Sequence, residues 1–137
     1  MTEENRTGRG EEPRLLVQRY SGIEERASRG ELMVRRIFDG GSVPFESSLQ
    51  FILHNRLPAG GKNERHVHED VEKVYYFLKG SGEVSCGPWK SRVSEGDFVF
   101  FPAAIEHEIQ ADEGSDLEFL VCAARTEGEP RGLDETP

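Results

Sequence analysis

The chain has little cysteine and no long apolar run. Its 137 residues include only two cysteines, Cys86 and Cys122, and these form no short metal-binding or redox pair. Two reduced thiols in a cytoplasmic protein are the simplest interpretation of that pattern. No apolar stretch approaches the roughly 20 residues that a membrane-spanning helix needs. The start of the chain shows no basic segment followed by an apolar one. We therefore expect no secretory signal and a cytoplasmic location.

Positive charge is also scarce. The chain carries 17 Lys and Arg residues against 26 Asp and Glu residues, and its formal net charge is −9 at pH 7. A surface of this kind repels phosphate backbones and anionic lipid. We therefore expect neither nucleic acid nor a membrane as a partner, and we expect a small molecule instead.

The two ends of the chain differ in composition from its middle. Residues 1–13 and 126–137 lack apolar periodicity and are rich in Glu, Gly and Pro, so they are predicted to be flexible tails. The intervening residues 14–125 are numerous enough for one domain with a hydrophobic core. The sequence thus predicts a single domain between two tails.

Strand patterns dominate this domain. Helical patterns are few, and Glu24–Arg29 predicts one turn at most. Short strands that are broken by Gly, Pro, Ser or Asp at this spacing favour an all-β sandwich or barrel. The predicted strands are Leu32–Phe38, Leu49–Leu57, Lys73–Lys79, Glu83–Cys86, Trp89–Val93, Asp97–Phe101, His107–Ala111 and Leu117–Ala124.

Three of the four histidines have a spacing that suits a metal ion. His66 and His68 are separated by one residue, Glu72 follows, and His107 lies on a separate segment. On a strand, side chains at i and i+2 leave the same face, with Cα atoms roughly 6.5–7 Å apart. Two such imidazoles, a third from a neighbouring strand and a carboxylate would make a strong site for a divalent transition metal.

These residues fall in two motifs that resemble those of the cupin superfamily. The first cupin motif, Gly-x5-His-x-His-x3,4-Glu-x6-Gly, is matched by Gly60, His66, His68, Glu72 and Gly80. The second, Gly-x5-Pro-x-Gly-x2-His-x3-Asn, is matched by the residues Gly96, Pro102 and His107, with Ala104 and Ala111 in place of its Gly and Asn. The resemblance implies a small jelly-roll barrel, a double-stranded β-helix, that binds one metal ion.

One departure from the first motif affects the carboxylate ligand. Seven residues separate Glu72 from Gly80, where the motif has six. Counting back from Gly80 places Lys73 in the ligand position, and a protonated lysine cannot ligate. Counting forward from His68 places Glu72 there. Glu72 is an even number of residues from both histidines, so the three side chains would share one face of a strand. We favour Glu72, with a bulge or loop before Val74. Three histidines with water in place of the carboxylate are the alternative.

The resemblance implies several functions. A site of His66, His68, Glu72 and His107 resembles that of non-haem iron oxygenases with one further imidazole. The leading hypothesis is a mononuclear Fe(II) enzyme of the dioxygenase class that acts on a small polar organic substrate. Mn, Ni, Co, Cu or Zn also suit the ligands and would support isomerase or lyase chemistry. A non-catalytic binding cupin, and a metal-free isomerase that uses a histidine base, are the other hypotheses.

Further residues are candidates for the pocket. His54 and Arg56 lie on the polar face of their strand, and Arg56 is suited to bind a substrate carboxylate in bidentate fashion. Tyr76 and Phe100 are candidates for the pocket wall. Small cupins often pair by exchanging N-terminal strands, and segment 14–38 has enough apolar residues to contribute. We therefore also expect a homodimer.

Overall fold

The fold is built from ten strands in two sheets. It is described from a computed structural model that covers residues 10–66 and 70–126, with the backbone alone for 64–66. A short 3-10 turn at Tyr20–Gly22 precedes the strands. The strands are β1 (Arg26–Ala27), β2 (Met33–Phe38), β3 (Leu49–Leu57), β4 (Lys62–His66), β5 (Val71–Lys79), β6 (Ser81–Cys86), β7 (Trp89–Ser94), β8 (Phe98–Phe101), β9 (His107–Ala111) and β10 (Leu117–Arg125).

The strand order is that of a jelly roll. One sheet has the order β1-β2-β3-β10-β5-β8, and the other has the order β4-β9-β6-β7. All of the strand pairs described in the two sheets are antiparallel. The prediction of an all-β jelly-roll fold is confirmed.

The hydrophobic core lies between the two sheets. Alternate residues along β3, β5 and β10 point into it, while β9 supplies Ile109 and Ala111 from the opposite sheet. Phe77 and Phe119 are fully buried, and Phe119 also stacks on Tyr75 with a centroid distance of 5.0 Å. Burial of such aromatic surface is the main force that holds the two sheets together.

Strand β5 has one inner and one outer face. Lys73, Tyr75 and Phe77 are buried on the inner face, and Glu72 shares the other face with Val74. The pairing of β5 with β10 is continuous from Val71 to Phe77. The only irregularity within β5 lies at Leu78, where Lys79 faces Glu118 and Phe77 faces Phe119. This β-bulge falls after Val74. The bulge or loop that the sequence predicted before Val74 corresponds to the break between β4, which ends at His66, and β5, which begins at Val71.

The segment Glu24–Arg29 differs from the sequence-based expectation, and the structure also describes the state of the two cysteines. The predicted helical turn at Glu24–Arg29 is wrong: Arg26 and Ala27 form β1, paired with Met33 and Val34. The pairing with β2 satisfies the backbone, which a single isolated turn of helix does poorly. Cys86 and Cys122 are both free thiols.

No helix in residues 10–66 and 70–126 has the length and apolar character needed to cross a membrane. The predicted tails fall mainly on residues 1–9 and 127–137, which are outside the described residues.

Candidate functional site

His107 lies inside the fold at the start of β9. It is 4 % exposed, and its ring packs against that of Phe101 in a tilted arrangement, with a centroid distance of 5.0 Å. Its Nδ1 lies 3.3 Å from the carbonyl oxygen of Ile105. When Nδ1–H donates to that carbonyl, Nε2 carries the lone pair, which is the usual arrangement of a metal-binding histidine. The buried position of His107 and this contact at Nδ1 are compatible with a role as a metal ligand through Nε2.

The turn before His107 shows why the second motif has a glycine. Ala104 has a φ of +63°, in the left-handed region that favours glycine. The conformation costs a residue with a Cβ about 1–2 kcal/mol. Pro102 begins this turn directly after β8. The turn sends the chain from the six-stranded sheet into the four-stranded sheet, and so brings His107 to the interior.

The backbone places a second predicted ligand opposite His107. In the antiparallel pair of β4 and β9, His66 faces His107, after an irregularity in the pairing between Asn63 and His66. Residues directly opposite in such a pair have Cβ atoms about 4.5–5.5 Å apart. The side chain of His66 and the whole of His68 lie outside the described residues. Within the described part of the chain, no three His, Cys, Asp or Glu side chains form a metal-binding group. The four-residue ligand set thus stays a prediction.

Glu72 and Lys73 lie on opposite faces of β5. Glu72 is half-buried on the outer face, while Lys73 is 7 % exposed on the inner face between the sheets. Burial lowers the pKa of the Lys73 ammonium to about 8, and nearby Arg29 adds to the shift. The inner-face position that is separated from Gly80 by six residues is therefore held by a lysine. Of the predicted ligands whose side chains are described, His107 lies in the interior and Glu72 lies on the outer face.

His54 and Arg56 lie on the outer face of β3. His54 is buried there against Tyr20, with Nε2 3.2 Å from a carboxylate oxygen of Glu118. Arg56 binds Glu25 in bidentate fashion, with distances of 3.0 Å from Nε and 2.8 Å from the terminal nitrogen. The guanidinium is thus already paired within the chain, and both side chains help to hold the N-terminal segment against the sheet.

This ion pair makes a testable contribution to stability. The hydrogen bond from Arg56, with charge attraction to Arg56 and Arg35, lowers the pKa of Glu25. Arg56→Met is expected to lower the free energy of unfolding at pH 7 by about 1–2 kcal/mol, because the pair is partly open to solvent. A carboxyl with a lowered pKa stabilises the fold above its ordinary pKa, and that stabilisation is lost as the pH falls through the folded-state value. Urea unfolding at pH 7 and pH 3 measures both effects.

Arg26→Met is the matched control for that experiment. Arg26 pairs with Glu24 at 3.1 Å, but both side chains are 74 % exposed. We expect a change within about 0.5 kcal/mol for this surface substitution. If Arg56→Met destabilises the protein equally at both pH values, its side chain acts through packing and the assigned ion pair contributes nothing.

Tyr76 and Phe100 also lie outside the interior. Tyr76 stacks on Phe98 with a centroid distance of 4.4 Å, and Phe98 and Phe100 are 70 % and 58 % exposed. None of the four pocket candidates, His54, Arg56, Tyr76 and Phe100, lines the cavity between the sheets. Alternation correctly placed His54 and Arg56 on the same face of their strand, but that face is the outer one. Tyr76 and Phe100 lie on the outer face as well.

The cavity between the sheets is lined by other residues. It has a volume of about 170 Å³ and is called the inner cavity below. Its walls come from β2, β3, β4, β5 and β10, and they consist of Ser28, Arg29, Leu32, Val34, Arg36, Phe51, Leu53, Asn55, Asn63, Lys73, Tyr75 and Val121. Sequence reasoning missed Asn55, Asn63 and Lys73 as pocket residues. Asn55 and Lys73 carry one available signal: each is a polar residue on the apolar face of an alternating strand.

The jelly roll, the interior histidine and the motif spacing together define a cupin, and the chain belongs to this family. The cupin domain family matches residues 53–122, which run from within β3 to within β10. The prediction of the superfamily is confirmed.

Individual relatives show the same family. The chain is 31 % identical over 110 residues to an uncharacterized protein of Methanocaldococcus jannaschii, which covers 80 % of this chain and 86 % of that protein. It is 32 % identical to oxalate decarboxylase OxdC of Bacillus subtilis over 74 % of this chain, but it spans only 26 % of that longer protein. The crystal structure of a predicted oxalate decarboxylase from Thermotoga maritima has a TM-score of 0.70 and 24 % identity, covering 80 % of this chain and 99 % of that one.

Proposed function

We propose that this cupin is a metal-dependent enzyme that acts on a small polar organic substrate in the barrel interior. The observation that carries the proposal is the register of β4 against β9, which sets His66 opposite the buried His107. His66, His68 and His107 would hold one divalent transition metal. The outward position of Glu72 favours three imidazoles with water at the remaining positions over the four-residue set.

The three histidine ligands do not determine the reaction class, which depends on the metal ion that they bind. A bound Fe(II) would support oxygenation, and a redox-inactive divalent ion would support Lewis-acid lyase or isomerase chemistry. Fe(II) remains the favoured ion of the proposal, and the oxygenase class remains the leading reaction. The relationship to OxdC, which is named as a decarboxylase, supports lyase chemistry on a small acid as the second candidate.

The chain's own residues would shape the reaction in other ways. The Phe101 ring packs against the ring of the buried His107. The carbonyl of Ile105 orients the same imidazole through Nδ1. Both contacts limit how far the His107 ring can rotate, so its Nε2 would be held in one direction before any substrate arrives.

Elemental analysis of protein purified without added metal tests the metal site. We expect close to one transition-metal ion per chain. The double variant His66→Ala, His68→Ala is expected to lose it, because two of three ligands are gone. His54→Gln is the control, since His54 is as buried as His107 but lies on the outer face. Far-UV circular dichroism checks that each variant is folded.

Retention of the metal by the folded double variant would show that the site is misassigned. Oxygen uptake then separates the reaction classes in the wild-type protein. Uptake with Fe(II) and a small organic acid supports the oxygenase, and anaerobic release of carbon dioxide supports the lyase. A metal-loaded protein that turns over none of a panel of small acids points to the binding cupin. A predicted homodimer and a cytoplasmic location complete the proposal.

A further inference from the structure

The inner cavity is large enough for one small molecule. Its volume of about 170 Å³ compares with the engineered cavities of roughly 150 Å³ that bind benzene. Its exposed lining residues are Ser28, Arg29 and Arg36, so the mouth lies beside the start of β2. Its inner end is formed by Asn63, Lys73 and other buried residues. The cavity thus suits a ligand of about the size of benzene.

The lining of this cavity is positively charged in a protein that is negatively charged as a whole. Arg29, Arg36 and Lys73 line it, and none of the described lining residues is an Asp or a Glu. The net charge of the whole chain is −9. Arg36 also lies 3.6 Å from Asp39, so part of its charge is offset at the mouth. A cavity with this charge attracts anions and disfavours cations.

Lys73 is the central charge of the cavity. It is 7 % exposed, and it has no hydrogen-bond or ion-pair partner among the residues that the structure describes. Its ammonium lies over the Phe51 ring at 5.7 Å from the centroid. A buried charge without a partner is costly, so such groups are normally paired. Lys79, at the end of the same strand, is exposed and lies 3.9 Å from Glu118.

Two carboxamides stand in the same cavity. Asn55 and Asn63 are 4 % and 5 % exposed, and their Oδ1 atoms are buried without a hydrogen-bond partner in the described part of the protein. Buried polar atoms are nearly always hydrogen-bonded in folded proteins. An amide oxygen accepts a hydrogen bond, so these two Oδ1 atoms suit a ligand that has a hydroxyl donor next to its charge.

We propose that the inner cavity binds a small hydroxy-carboxylate, whose carboxylate pairs with Lys73 and whose neighbouring hydroxyl lies against Asn55 and Asn63 and donates to one of their Oδ1 atoms. Counted back from Gly80, Lys73 occupies the position of the motif's glutamate. The carboxylate of the ligand would then supply the negative charge inside the barrel. This inference names the substrate class for the function proposed above and rests on it in that respect. The binding step itself depends only on the residues of the cavity.

Isothermal titration of the full-length chain with glycolate tests this binding. Titrations are made on the protein as purified and again after dialysis against EDTA, with glycolamide as the uncharged probe. We expect the wild-type protein to bind glycolate at least tenfold more tightly than glycolamide under both conditions. Lys73→Met is expected to weaken glycolate binding at least tenfold, because it keeps the chain length but removes the charge. Lys79→Met is the matched control and is expected to stay within twofold of wild type.

A thermal unfolding measurement provides the second readout. Without ligand, Lys73→Met is expected to unfold at a higher temperature than wild type, because an unpaired buried charge is gone. Millimolar glycolate is expected to raise the unfolding temperature of wild type but not that of Lys73→Met. Equal glycolate affinity of wild type and Lys73→Met would overturn the proposal, as would a wild-type protein that binds no glycolate in either preparation. Metal content is measured separately from glycolate binding. A protein that binds glycolate but contains no metal would contradict the proposed function and support this inference.

Discussion

Replacing Phe119 by alanine is expected to destabilise the protein by about 3–5 kcal/mol, as large-to-small changes at buried aromatic residues do. Phe119 is fully buried in β10, the strand that joins β3 to β5. Its ring contacts those of Tyr75 and Phe77, with centroid distances of 5.0 and 5.4 Å. Removal leaves a cavity that the surrounding sheets cannot close. Total stabilities of domains are about 5–15 kcal/mol, so the loss is a large share.

Phe98→Ala is the matched control for this substitution. Phe98 is 70 % exposed on edge strand β8 and loses only its stacking on Tyr76. We expect a loss of about 0.5–1.5 kcal/mol, the value of an aromatic pair. Urea unfolding of both variants gives the comparison. Similar losses at the two positions would mean that the core does not lie where the structure places it.

Gly80→Ala is expected to destabilise the protein by about 4 kcal/mol or more, a size that single substitutions rarely reach. Gly80 has a φ of +85°, which costs a residue with a Cβ about 1–2 kcal/mol. A Cβ built there would also lie 2.2 Å from the backbone oxygen of Asp116. Backbone must move at both places, next to the bulge at Leu78.

Gly96→Ala separates the two contributions at Gly80. Gly96 has a similar φ of +93°, but a Cβ there meets no atom within 4 Å. We expect it to lose only the conformational cost of about 1–2 kcal/mol. Chemical denaturation gives both values, and their difference measures the clash. Equal losses at Gly80 and Gly96 would show that the chain relaxes around Asp116 without cost.

The choice between Glu72 and Lys73 shows how far sequence reasoning reached in the site. Parity with His66 and His68 favoured Glu72. The structure ends β4 at His66 and begins β5 at Val71, so alternation cannot be counted from one strand into the next. The motif allows four residues between the second histidine and the carboxylate, which points to residue 73. Its six residues between the carboxylate and the last glycine, here Gly80, point to the same position. Pairing with β8 and β10 then sets which face of β5 is the inner one.

The pocket candidates show the same division. Alternation correctly separated His54 and Arg56 from Phe51 and Leu53 on β3. Polarity then suggested that His54 and Arg56 face the pocket, but they lie on the outer face. There Arg56 binds Glu25 of the N-terminal segment, and His54 lies beside Glu118 of β10. The inner cavity is polar because of Asn55, which sits among apolar residues of the same face. Partners distant in sequence decided the outcome.

The sequence by itself determined the strands other than β1 and β4, because these follow from local alternation and turn residues, and the resemblance of its two motifs gave the jelly-roll class and the cupin family. It also identified His107 as an interior candidate, since a fixed turn after Pro102 leads directly to it. Only the tertiary structure decided which face of each strand is enclosed and that Lys73 takes the inner position on β5. Those properties depend on registers between strands far apart in the chain, and a shift of one residue reverses them.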